Sequence, residues 1–225
     1  MTNAAVMTAK ERQQFFERLR TQNPRPETEL EYTSPYEMLI AVMLSAQATD
    51  VSVNKATRHL FRVASTPQAM VALGTEGVET FIRSIGLFRT KAKNVVAASQ
   101  LLIERHEGRV PIDRESLESL PGVGRKTANV VLNNVFGDPT IAVDTHVFRV
   151  ANRTGLAPGP DVARVEQKLL DTTPPEFLSD CHHWLILHGR YTCKARVPEC
   201  WRCVVVDLCH FDAKILVAPP SAVRE

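Results

Sequence analysis

Cys193, Cys200, Cys203 and Cys209 follow a C-x6-C-x2-C-x5-C pattern near the C-terminus. Four thiols within 17 residues form a ligand set rather than core packing. Thiolates suit soft metals, and ligand type alone admits an iron–sulfur cluster or a zinc ion. Structural zinc sites more often use two short C-x2-C spacings, and this chain has one. Far upstream, Lys126 and Asp144 are the other residues whose placement could do chemistry.

Lys126 lies in Leu120-Pro-Gly-Val-Gly-Arg-Lys-Thr-Ala-Asn-Val-Val-Leu-Asn133. A short helix running into Pro121, a Gly-Val-Gly turn and a second helix from about Arg125 fit this stretch. Gly122 and Gly124 allow positive φ and leave no side chain in the way of a ligand. The unpaired amides opening the second helix form an anion site suited to a phosphate. Such a contact positions DNA without reading its bases. A plain structural joint is the other reading. A Walker A loop fails on spacing, because the lysine does not follow glycine directly and no strand precedes the turn. Lys126 in the first turn faces the positive end of the helix dipole, which favours the free amine. A free amine is a nucleophile toward an electron-poor carbon and can form a Schiff base, whereas a charged lysine there binds phosphate. Asp144 follows the apolar run 139–143 and precedes Thr145-His-Val-Phe-Arg149, a context that suits an N-cap. A carboxylate fixed by helix amides can also stabilise a developing cation or move a proton.

The elements that must position these residues read almost entirely as helix. Thr8 with Glu11 opens a helix through about residue 21, which Asn23-Pro-Arg-Pro26 ends. Ser34-Pro35 fits the N-cap and first position of a helix over 36–47. Further helices are predicted over 51–63, 66–73, 77–85, 90–106, 114–119, 126–136, 144–154, 161–170 and 176–191. Strand signals at 110–112 and 140–143 are too short or too close to proline to build a sheet. The tail from Ala213, with Pro219-Pro220, reads as loosely structured.

Composition excludes some classes. Hydrophobic residues make up 44% and charged residues 23%, an ordinary globular balance. A net charge of +2 is too small to argue for nucleic acid by itself, so a DNA-binding reading must rest on local features. The apolar stretch Ala4 to Met7 is too short for a signal sequence, and no window of about 18 apolar residues could span a bilayer. A soluble intracellular protein is expected, in which clustered thiols bind metal rather than pair as disulfides. Cys181, within a helical run, reads as a buried free thiol.

Taken together, the motifs resemble the endonuclease III family, DNA glycosylases with an associated lyase activity. The resemblance rests on LPGVGRKTANVVLN, on TIAVDTHVFRVANRTG at 140–155 and on the cysteine spacing. LIAVMLSAQATDVSVNKAT at 39–57 and DCHHWLILHGRYTC at 180–193 extend it, so it runs from about residue 30 to residue 209. It implies an all-α, two-domain helix-hairpin-helix glycosylase fold with a C-terminal [4Fe–4S] cluster loop. Residues 28–138 would form a six-helix domain. Residues 1–27 with 139–225 would form the cluster domain, with the DNA cleft and active site between the two.

The resemblance further implies that Lys126 is the Schiff-base nucleophile, Asp144 the catalytic carboxylate, and the four cysteines the [4Fe–4S] ligands. Gln47 and Leu87 resemble the side chains that enter the duplex when the damaged nucleotide is flipped out. Ser45, Asp50 and His146 look like further cleft residues, and Asp50 could equally cap the following helix. Gly122, Gly124 and Arg125 would meet the DNA backbone, as would Lys194 and Arg196 between the first two cysteines. Trp201 and Arg202 are bulkier than the family pattern between Cys200 and Cys203. The implied partner is damaged double-stranded DNA, bound by a monomer in a bacterial cytoplasm at the nucleoid. The implied activity is removal of oxidised pyrimidines followed by β-elimination. An adenine–mismatch glycosylase shares the scaffold but lacks a lysine at the position of Lys126 and usually carries an added C-terminal domain. This chain has that lysine and stops at Glu225. A non-catalytic damage-binding protein would not need Lys126 together with Asp144.

Overall fold

A computed structural model describes residues 6–219. Ala4 and Ala5 of the N-terminal apolar stretch, and Pro220 of the tail, lie outside them. Among the described residues ten α-helices follow one another: α1 Ala9–Gln22, α2 Pro35–Ser45, α3 Asp50–Leu60, α4 Pro67–Ile82, α5 Phe88–His106, α6 Arg114–Glu118, α7 Arg125–Phe136, α8 Thr145–Thr154, α9 Val162–Thr172 and α10 Leu178–Tyr191. Among the described residues there is no strand, as an all-α chain requires.

Local chemistry starts most of these helices. Thr8 and Glu11 form a reciprocal capping box, with the Thr8 amide donating to Glu11 Oε2 at 2.7 Å. Ser34, Thr49, Thr66, Asp113, Asp144 and Asp161 each accept an amide of the first turn. Each such cap contributes about 1 kcal/mol.

Several boundaries differ from the sequence expectation. α2 stops at Ser45 rather than Gln47. The Ser45 hydroxyl turns back to donate to the Val42 carbonyl at 2.8 Å, Ala48 N–H bonds the Ser45 carbonyl at 3.0 Å, and Gln47 takes φ 55°. Asp50 does not cap α3: Thr49 does, accepting from Ser52 N–H at 3.2 Å, and Asp50 is the first helical residue. The segments expected at 66–73 and 77–85 join as α4 through a bend at Gly74, whose φ of 70° and ψ of 170° are non-helical. α5 opens at Phe88, two residues early, behind a left-handed Leu87.

The chain divides into two compact units. One is Thr28–Asp138; the other is formed by the segments before and after it. In the first, α2 is buried on every side from Tyr36 to Leu44 and is enclosed by α3, α5 and α7. A helix apolar all round belongs in a core, and each fully buried Leu, Ile or Met there contributes about 1.5–3 kcal/mol. Tyr36 reaches Ser99 of α5 through a buried 2.6 Å hydrogen bond. In the second unit, α1 packs Phe15, Phe16 and Leu19 against α8, α9 and α10. Phe16 stacks on Phe177 at 5.5 Å and tilts toward Trp184. Met7 N–H bonds the Gly155 carbonyl at 2.8 Å, and Arg18 grips Asp207 with both terminal nitrogens.

Candidate active site and cysteine-lined pocket

The first unit carries the hairpin. α6 ends at Glu118, the turn runs through Pro121–Gly124, and α7 begins at Arg125. Only one of the two glycines is left-handed: Gly122 has φ 80°, while Gly124 is extended at φ −103° and is the N-cap of α7. A Cβ on Gly122 would also lie 2.8 Å from the Asn94 side chain of α5, so conformation and space both exclude other residues. A Cβ on Gly124 would meet nothing within 4 Å. Its backbone thus faces open space where the first amides of α7 point outward, the arrangement that binds an anion. Lys126 and Arg125 are both exposed in this first turn.

Gln47 and Leu87 stand on two loops of the same unit. Both side chains are exposed and both residues are left-handed, at φ 55° and 59°. Ser45, half-buried, spends its hydroxyl on the Val42 carbonyl. Lys91, which no sequence pattern marked, is 7% exposed and donates from Nζ to the Leu44 carbonyl at 2.9 Å. Desolvation holds its ammonium below the usual lysine range.

The second unit carries Asp144. Its Oδ1 accepts from His146 N–H and Val147 N–H, both at 2.8 Å, which fixes the carboxylate at the start of α8. Both amides use Oδ1, so Oδ2 is the oxygen left to face a proton or a cation. His146 Nδ1 lies 3.2 Å from the Arg149 guanidinium.

Cys193, Cys200, Cys203 and Cys209 line one pocket of this second unit, with Arg153, His188, Val205 and Phe211. Among the described residues no group of His, Cys, Asp and Glu is arranged to hold a single metal ion. Without a cation the surroundings favour thiols over thiolates. Burial, then mutual repulsion with Cys209, Cys193 and Cys200, pushes the Cys203 thiol up to about 11; Cys209 is also raised, chiefly by burial. Four anionic sulfurs in one apolar pocket need a bound cationic centre. Arg153 Nη1 approaches Cys193 Sγ at 3.7 Å, and His188 Nε2 approaches Cys203 Sγ at 3.7 Å. Cys181 is separate and fully buried, its thiol raised to about 12 by desolvation.

Backbone anchors shape the loop around this pocket. Arg149 Nε donates to the Cys193 carbonyl at 2.8 Å and its Nη2 to the Gly189 carbonyl at 2.7 Å. Arg153 donates to the carbonyls of Lys194 and Ala195 at 2.7 and 2.8 Å and lies over the Phe211 ring. The two arginines sit four apart on one face of α8, a spacing that the sequence displayed. Glu199 ties the loop from inside, accepting from Lys194 Nζ at 2.5 Å and from Arg202, which also donates to the Tyr191 carbonyl at 2.7 Å. Lys194 is therefore ion-paired within the loop, while Arg196 is exposed. Trp201 is half-buried beside Cys200.

Comparison with known proteins sets this arrangement in a family. The HhH-GPD superfamily of base excision DNA repair proteins matches residues 40–175. Endonuclease III of Escherichia coli is 61% identical over 209 residues, covering 93% of this chain and 99% of that protein. Endonuclease III of Haemophilus influenzae is 60% identical over the same shares. A solved endonuclease III trapped as a covalent intermediate with DNA, in an estranged-adenine complex, is 45% identical at a TM-score of 0.85, covering 91% of this chain and 96% of that one. A thermostable thymine-DNA glycosylase is 25% identical at a TM-score of 0.80, covering 89% of this chain and 95% of that one. The chain belongs to the endonuclease III family of HhH-GPD base excision DNA repair proteins.

Proposed function

We propose that this DNA glycosylase and AP lyase removes oxidised pyrimidines from duplex DNA, with Lys126 as nucleophile and Asp144 as the partnering carboxylate. The observation that carries the reading is the placement of Lys126, exposed in the first turn of α7 beside an unobstructed Gly124 backbone. An anion seated on the α7 amides would bring a phosphate, and the sugar next to it, within reach of a lysine amine. The trapped covalent complex of the related endonuclease III supports the same chemistry.

On this reading the damaged nucleotide leaves the stack, Gln47 faces the orphaned base and Leu87 fills the gap. Asp144 helps to free the Lys126 amine, and Oδ2 offsets positive charge at the anomeric carbon. The Lys126 nitrogen bonds that carbon as the bond to the base breaks, and the base leaves with a proton. The nitrogen then gives up a proton and the C1′–O4′ bond breaks, with the ring oxygen taking a proton, so the sugar opens to an iminium. This acidifies the neighbouring sugar C–H, and loss of that proton expels the phosphate on the 3′ side of the lesion. Gly122, Gly124, Arg125 and Arg196 hold the phosphate backbone; Ser45 and His146 are assigned further contacts with the substrate. Cys193, Cys200, Cys203 and Cys209 would hold a [4Fe–4S] cluster, which would tie residues 193–209 together. The pocket that all four share, with Arg153 and His188 at two of the sulfurs, supports that assignment. The enzyme works as a monomer at the nucleoid of a bacterial cytoplasm; its relatives are bacterial, and among the described residues no helix is long and apolar enough to cross a membrane.

Borohydride reduction tests the nucleophile. With a thymine glycol duplex it traps a covalent protein–DNA adduct, and Lys126→Ala removes the adduct. An undiminished adduct in that variant overturns the assignment. Parallel duplexes with an abasic site or an adenine–oxoguanine mismatch separate this activity from mismatch repair and from binding without catalysis.

A further inference from the structure

Helix α2 ends at Ser45, and it has no basic residue in its last turn. The carbonyls of that turn lack helical partners and form the negative end of the dipole. Val42 and Ser45 find partners locally, in the Ser45 hydroxyl and Ala48 N–H. The partner of Leu44 comes from another helix, since Lys91 of α5 donates to its carbonyl at 2.9 Å across 47 positions of sequence. Lys91 is 7% exposed as a residue and its Nζ bond is buried, where a methionine, close to lysine in length, would pack without desolvating a charge. A buried charge retained at such a position calls for a geometric role.

The two ends that Lys91 joins are those that carry Gln47 and Leu87. Three residues beyond Leu44 the backbone turns left-handed at Gln47. One turn before Lys91 it is left-handed at Leu87, and Lys91 N–H bonds the Leu87 carbonyl at 3.0 Å. Lys91 is thus tied by its backbone to the Leu87 loop and by its side chain to the Gln47 loop. The loops also approach directly, since a Cβ built on Gly86 lies 4.0 Å from the Gln47 carbonyl oxygen.

We propose that Lys91 is a positioning residue for nucleotide extrusion, setting the spacing between Gln47 and Leu87 by tying the C-terminus of α2 to the first turn of α5. The inference rests on the reading that Gln47 and Leu87 enter the duplex. Lys91 is buried with its ammonium on the Leu44 carbonyl, so it acts through the two loops. Its effect therefore falls on the step that takes the base out of the stack and much less on chemistry at a site whose base is already gone.

The test compares Lys91→Met, Lys91→Gln, Gln47→Ala and Leu87→Ala with the parent protein. Extrusion is followed by stopped-flow fluorescence of 2-aminopurine beside a thymine glycol. Single-turnover excision of that lesion and strand cleavage at a preformed abasic site are measured alongside, with thermal melting of each variant. Lys91→Met is expected to slow extrusion and excision at least tenfold while abasic-site cleavage falls less than threefold. Lys91→Gln keeps an N–H donor for the carbonyl; it is expected to lie between Lys91→Met and the parent and serves as the test if the methionine variant does not fold. Equal losses in excision and abasic cleavage, or an unchanged extrusion step, overturn the role of Lys91. If Gln47→Ala and Leu87→Ala both leave extrusion unchanged, the reading of those two residues falls and the proposal falls with it. If they slow extrusion and the Lys91 variants do not, the Lys91 proposal alone falls.

Discussion

Gln47 and Leu87 share a left-handed backbone, at φ 55° and 59°, and among the described residues Glu107 is the only other non-glycine residue with positive φ. That conformation costs a residue with a Cβ about 1–2 kcal/mol. Leu87 is 60% exposed, so little hydrophobic burial offsets the cost. Strain of this kind persists where function uses it. Leu87→Gly is expected to raise stability by about 0.5 kcal/mol, after allowing for the greater freedom of glycine in the unfolded chain. Lesion excision by the same variant should fall at least tenfold. Urea unfolding and single-turnover excision on one preparation decide this: stability and activity falling together would show that Leu87 serves the fold alone.

Asp144 has two assigned roles that one substitution separates. Asparagine caps helices about as well as aspartate, so Asp144→Asn should keep the bonds to His146 and Val147 and lose under about 0.5 kcal/mol of stability. It removes the negative charge, and excision should drop about a hundredfold, within the usual range for general acid–base groups. Asp144→Ala should lose the activity and also about 1 kcal/mol of stability. An active Asp144→Asn would reduce the residue to a cap.

The legible parts of this protein are those whose signal is local. Thr8, Ser34 and Asp161 stand one residue before helices that begin where their side chains can take an amide. The cysteine spacing and the hairpin are contiguous motifs. Thr49 and Asp50 are adjacent cap residues and composition favours Asp50, yet it is Thr49 that reaches Ser52 N–H. The left-handed turn at Gln47 was hidden because nothing in 36–47 forbids another helical turn. Lys91, Arg149 and Arg153 were hidden for a different reason. Their acceptors lie about 40 or more positions away, at Leu44, Cys193, Lys194 and Ala195. A lysine or arginine on a helix reads as a solvated face until a distant carbonyl claims it.

Glu199 restrains the basic side of the cysteine loop. It pairs with Lys194 and Arg202, and those partners in turn hold its carboxyl below the usual range. Glu199→Gln would free Lys194 for phosphate, while Arg202 keeps its bond to the Tyr191 carbonyl. Affinity for duplex DNA should rise about threefold at moderate salt, and the slope of log K against log salt should steepen by about 1, one further counterion released. Fluorescence anisotropy across a salt series measures both. An unchanged slope would mean that this loop does not face the DNA backbone.

The cysteine pocket predicts a coloured protein whose cluster domain depends on metal. About four irons per chain are expected, and Cys203→Ser should lower that content and loosen the loop. Trp201, directly after Cys200, offers a second readout. Its fluorescence should be quenched in the loaded protein and recover when iron is stripped, whereas Trp184, buried against Phe16 and bonded to the Asn23 carbonyl, should change less. Trp201→Phe isolates the contribution. A colourless protein containing zinc would replace the cluster assignment.

His183 gives the second unit an acid-sensitive element away from the cysteines. It is buried on α10, and desolvation lowers its imidazole to about 4. The unfolded chain takes up this proton near pH 6.5 and the folded one does not until about pH 4. The stabilising contribution is therefore complete above about pH 6.5 and is lost as pH falls toward 4. The loss between pH 7.5 and pH 5 should be about 2 kcal/mol for this one group. Several carboxylates also titrate in acid, among them Glu199 and Asp207, so the comparison is with His183→Gln, which keeps those groups. The variant should show a shallower decline of the urea midpoint over that window, by an amount near the figure above. Parallel declines in the two proteins would place the acid sensitivity elsewhere.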